Sequence, residues 1–159
     1  MLRLLLRACD FLLLSAVAAL FGACLTALLR TGSHGLEIPH APYVYEPVDF
    51  WVDAMLAGLA ATAALALSEW GWRRRLSAFP RAALAFAAAL LAMYLGPPAP
   101  VVFGNTWASW EPTVELFLAQ WKLTLPLALA VVAARALVRA AVRARGQRLR
   151  DAPASVNGP

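Results

Sequence analysis

Between two long apolar runs lies Trp70-Gly71-Trp72-Arg73-Arg74-Arg75-Leu76-Ser77-Ala78-Phe79-Pro80-Arg81, a short basic hinge bracketed by aromatic residues. Arginines this dense cannot lie in hydrocarbon, so both flanking runs must enter a lipid layer from the side on which the hinge stays. In bacterial and organellar inner membranes that side is the cytoplasmic one. Once the hinge is placed, the orientation of the whole chain follows.

Composition agrees with this reading. Of 159 residues, 62% are hydrophobic and the mean hydropathy is +0.66, whereas a soluble domain is about 45–50% apolar. At about 20 residues per span, the length accommodates four spans with short connections and no separate soluble domain. The net charge of +5 would suggest nucleic acid in a soluble protein. Here the arginines flank apolar runs, the pattern of topology determinants and of contact with anionic lipid headgroups, so nucleic acid is not an expected partner.

The first span runs over about 4–29, with Arg3 and Arg7 at one end and Arg30 at the other. Its length and the early Asp10 argue for a retained anchor over a cleaved signal peptide. Arg7 and Asp10 share a helical face and partly neutralise one another. Ala18 and Gly22 make a small-xxx-small step suited to close helix approach. Cys9 and Cys24 lie on this one helix, too far apart along it to pair.

Residues 31–50 contain neither Lys nor Arg, but carry Glu37, Glu46, Asp49, His34, His40 and three prolines that preclude a long helix. Tyr43, Tyr45, Phe50 and Trp51 are expected to form an aromatic belt at the outer interface. The second span, about 51–70, is rich in small residues. The third, about 78–96, meets Gly96-Pro97-Pro98; either its helix starts back near Ser77 or the proline segment sits inside protein at membrane depth. Beyond a second outer connection with Trp107 and Trp110, residues 113–142 read as one long helix bent at Pro126, of which about 114–138 spans. Residues 146–159 turn polar and are expected to be a disordered cytoplasmic tail.

The alternation of arginine-rich and arginine-free segments predicts an all-α integral membrane protein. Residues 1–145 form a small bundle of four transmembrane helices, with both termini in the cytoplasm of a bacterial inner membrane.

Few residues suggest chemistry. No span contains a histidine, so a membrane-embedded haem lacks its ligands. His34, Glu37 and His40 have no tight metal-ligand spacing. Glu46, Asp49, Asp53, Glu111 and Glu115 lie at the bilayer boundary, where solvation and pairing with Arg30 or Lys122 account for them. Among ionisable residues only Lys122 approaches an intramembrane position, and snorkelling beside Trp121 explains it. No nucleophile constellation or phosphate loop is present, so neither an enzyme nor a resident cofactor or metal is expected. Arg135, Arg139 and Arg143, at steps of four, form one stripe. Together with Arg73, Arg74 and Arg75 they are expected to contact anionic lipid or a cytoplasmic partner. Asp49, Asp53, Trp107 and Trp110 are the candidate partner contacts on the outer face.

Trp121-Lys-Leu-Thr-Leu-Pro126-Leu, followed by an apolar run and Arg135, resembles the last helix of the small membrane subunit of TRAP-type tripartite transporters. Arg3, Arg7 and Asp10 at the start of the first span, Arg30 at its end and the basic second connection are similar to that family too. The chain departs from it in having Thr31, not an aromatic residue, after Arg30, and an acidic cluster of Glu46, Asp49 and Asp53 around Trp51. The resemblance implies a non-catalytic subunit that braces a larger integral-membrane transport subunit and helps receive a periplasmic solute-binding protein. The competing expectation is an accessory or assembly subunit of another inner-membrane complex, respiratory or photosynthetic.

Overall fold

The computed structural model describes the backbone of residues 2–41, 44–71, 77–103 and 107–151; Arg73, Arg74, Arg75, Tyr43 and the end of the tail lie outside the described residues. The protein is all-α. Four long helices carry it: α1 (Leu2–Thr31), α2 (Pro47–Gly71), α3 (Ala78–Leu95) and α4 (Trp121–Asp151). Each contains a stretch long and apolar enough to cross a membrane, namely Leu4–Thr31, Pro47–Gly71, Ala78–Leu95 and Trp121–Gly146. Their outward sides are coated with residues such as Leu12, Met55, Leu59, Phe79, Leu129 and Leu137, all exposed. A surface of that kind is solvated by lipid, and the chain is a membrane protein.

Helix ends follow local chemistry. α1 stops where Gly32 adopts φ 68° and its N–H donates to the Leu28 carbonyl at 2.9 Å, a left-handed cap that a side chain would strain. α2 begins with Pro47, whose missing N–H costs nothing at that position, and the Asp49 carboxylate accepts the Glu46 N–H at 2.8 Å. Inside the spans, Thr26 and Thr62 donate to the carbonyls of Gly22 and Gly58 at 2.8 and 2.7 Å. Their hydroxyls are thereby satisfied without water.

Lipid is as apolar as a leucine core, so close packing and polar contacts, more than the hydrophobic effect, must hold the helices together. α1 and α3 each pack against the other three long helices, whereas α2 and α4 sit at opposite corners. Small residues let the backbones approach. Gly58 of α2 lies against Ser15 of α1, and Gly22 of α1 lies against the Pro97 carbonyl. The Ala18/Gly22 step thus receives the chain break after α3, with Gly96 against Ala18. α3 starts at Ala78 directly after Ser77, and Pro97 and Pro98 are buried, with the Pro97 carbonyl against Gly22 of α1.

The fourth crossing differs from the single bent helix expected. Thr113–Leu118 is π-helical, with the Ala119 N–H donating to the Val114 carbonyl at 2.7 Å, and α4 proper begins after it with Pro126 in its interior. The wider turn places Phe117 edge-on to both Phe21 of α1 and Tyr94 of α3, with ring centroids 6.0 and 5.4 Å apart. At the other end α4 stays helical to Asp151, through the first residues of the segment expected to be disordered.

Candidate functional site

The polar feature of the interior is an ionic cluster at the end of the bundle where α1 begins and α2 ends. Asp10 lies near the start of α1 and Glu69 near the end of α2; Arg135 and Arg139 reach them from one face of α4. Asp10 and Arg135 are 3% and 6% exposed. Nε of Arg135 donates to Oδ1 of Asp10 at 2.7 Å, and its Nη2 donates to Oδ2 at 3.2 Å and to Oε1 of Glu69 at 2.7 Å. Arg7 closes the other side, donating to Glu69 at 2.7 Å and to Asp10 at 3.4 Å. Arg139 donates to Glu69 at 3.4 Å. Its Nε is buried with no hydrogen-bond partner among the described residues.

The planar guanidinium suits this place because it offers a fork to one carboxylate and a further donor to another. A lone carboxylate or guanidinium here would be costly; mutual pairing makes the burial tolerable. Glu69 also joins α2 to α4, which sit at opposite corners of the bundle. Three guanidiniums meet two carboxylates, leaving one positive charge in excess.

This arrangement corrects two expectations. Arg135, assigned to the lipid or partner surface, is turned inward, and Arg139 is drawn partly in; of the stripe, Arg143 remains exposed. Nor is Lys122 alone in bringing charge into the spans, since Asp10, Glu69 and Arg135 do so as well. Lys122 sits with its ammonium 5.9 Å from the Trp121 ring centroid. The Arg7–Asp10 pair is present as expected, at 3.4 Å. The sequence held one sign of the rest: Asp10, Glu69 and Arg135 all lie toward the arginine-rich ends of their spans, hence at similar depth.

At the opposite end, Arg30 pairs with Glu37 at 2.9 Å and donates to the His40 carbonyl at 3.3 Å, which folds residues 32–41 back over α1. Ala41 and Tyr45 exchange backbone hydrogen bonds, and the buried Tyr45 hydroxyl donates to Asp53 at 2.8 Å. Burial first, and then the bond to Asp53, raise the Tyr45 phenol well above its ordinary pKa. Of the outer-face candidates, Asp49 therefore caps α2, Asp53 holds Tyr45, and Trp107 donates to the Pro100 carbonyl at 3.1 Å. Trp110 is exposed. Among the described residues no three His, Cys, Asp or Glu side chains converge as metal ligands.

No protein-family model, no curated protein and no solved structure matches this chain.

Proposed function

We propose that the chain is a non-catalytic small subunit of a solute transporter in a bacterial inner membrane, with both termini cytoplasmic, bracing a larger integral-membrane transport subunit. The observation that carries this reading is the division between inside and outside. The charges drawn into the interior of the bundle, Asp10, Glu69 and Arg135, are engaged with one another, which ties α1, α2 and α4 together. Trp121, Leu125, Leu129 and Leu137 form an apolar ridge along the outer side of α4, a surface suited to a neighbouring transmembrane subunit. A rigid block with an apolar exterior suits a brace better than a conduit, which needs a polar path. On the outer face, exposed Trp110 would help receive a periplasmic solute-binding protein.

Affinity purification of the tagged chain from native membranes in mild detergent tests the proposal. A larger many-span permease is expected to elute with it. Elution alone, or with respiratory or photosynthetic subunits, would refute the assignment.

A further inference from the structure

A groove of about 290 Å³ lies between α3 and α4 at the end of the bundle that holds the ionic cluster. Arg81, Arg139 and Arg143 line it, together with Ala82 of α3 and Ala136 and Ala140 of α4. Neither Arg81 nor Arg143 takes part in an ion pair among the described residues, and Arg139 keeps a buried Nε without a partner. Arg139 is shared with the adjoining cluster, whose two carboxylates are already matched by Arg7 and Arg135. α3 also begins beside the groove, where Ser77 makes no side-chain cap, so the positive end of that helix adds to the field. The alanine walls leave a furrow that is apolar along its length and strongly basic along its edge.

We propose that this groove binds an anionic phospholipid. The headgroup phosphate sits among the guanidiniums of Arg81, Arg139 and Arg143, and an acyl chain lies on the alanines of α3 and α4. The two halves of the groove call for an amphiphile: a free anion leaves the alanine furrow unfilled, and a neutral lipid leaves the arginines uncompensated. Generic attraction of basic side chains to an anionic bilayer depends on charge alone. A seated lipid depends on charge and on the shape of the furrow. This site follows from the membrane fold and does not require the brace role.

The test is native mass spectrometry of the full chain in detergent, titrated separately with dioleoyl-phosphatidylglycerol, dioleoyl-phosphatidylcholine and inorganic phosphate. Phosphatidylglycerol is expected to bind as a retained adduct, at least about tenfold tighter than phosphatidylcholine, with no retained inorganic phosphate. The R81Q/R143Q variant touches no pair of the internal cluster and should unfold at the wild-type temperature without lipid. Its affinity for phosphatidylglycerol should fall about thirtyfold, at about 1 kcal/mol for each arginine. The A136L/A140L variant keeps every charge but fills the furrow at exposed positions, and should also lose the adduct; R30Q, at the far end, should not. Retention of phosphatidylglycerol by A136L/A140L would overturn the proposal in favour of surface attraction. Equal retention of inorganic phosphate would overturn it in favour of a free-anion site, and unchanged affinity in R81Q/R143Q would refute it outright.

Discussion

Asp10 and Arg135, 125 positions apart in the chain, form a buried two-point ion pair, with Nε–Oδ1 2.7 Å and Nη2–Oδ2 3.2 Å, that fastens the first helix to the last. Removing one partner of such a pair leaves the other charged and buried, at a cost of about 3–5 kcal/mol. D10N is therefore expected to lower stability by about 3 kcal/mol, and R135K by a similar amount, since an ammonium cannot fork to Asp10 while bonding Glu69. Thermal unfolding in detergent measures both. In a double-mutant cycle, D10N/R135Q should cost clearly less than D10N and R135Q added.

Glu69 is the only described carboxylate that ties α2 to this cluster, through Arg7, Arg135 and Arg139. E69Q leaves three guanidiniums against Asp10 alone. It should destabilise the protein by about 2–3 kcal/mol and loosen α2 in particular. Amide exchange in α2 rising well above that in α1 would display this; uniform exchange would contradict the role given to Glu69.

Close backbone contacts predict a contrast among glycines. A Cβ at Gly22 collides with the Pro97 carbonyl, and one at Gly58 collides with Ser15, whereas Gly146 has nothing within 4 Å. G22A and G58A should each cost about 2 kcal/mol by overpacking, while G146A should stabilise α4 by about 1 kcal/mol. Unfolding temperatures of the three variants give the comparison.

Tyr45 predicts a dependence on alkaline pH. Its phenol is raised above the ordinary value near 10.0, so the stability it contributes is complete below that pH and is lost as pH rises toward the raised value. Y45F removes the bond to Asp53, costs about 1 kcal/mol at neutral pH, and should flatten the alkaline loss of stability. Absorbance of phenolate at high pH, compared between wild type and Y45F, identifies the late-titrating group.

The hinge carries the topological prediction. R73E/R74E/R75E should disturb insertion or orientation, read by reporter fusions in the segment from His34 to Tyr45 and beyond Arg145. Wild-type topology in that variant would remove the basis for placing the hinge in the cytoplasm.

From the sequence alone come the number of long apolar helices, their approximate limits and the grouping of most arginines at one end. These are one-dimensional properties: a run of about 20 apolar residues crosses a bilayer, and arginine stays at its margin. The Arg7–Asp10 pair was legible for the same reason, being local to a single helix. The rotation of each helix about its axis was not. Helices apolar on nearly every side have no polar face to announce which side turns inward, and lipid outside is as apolar as the packed interior. Only the tertiary structure decided that Arg135, and in part Arg139, turn inward to Asp10 and Glu69 while Arg143 stays exposed, and that Gly22 receives the Pro97 carbonyl. Those outcomes depend on how small residues and opposite charges on separate helices meet, which no single span encodes.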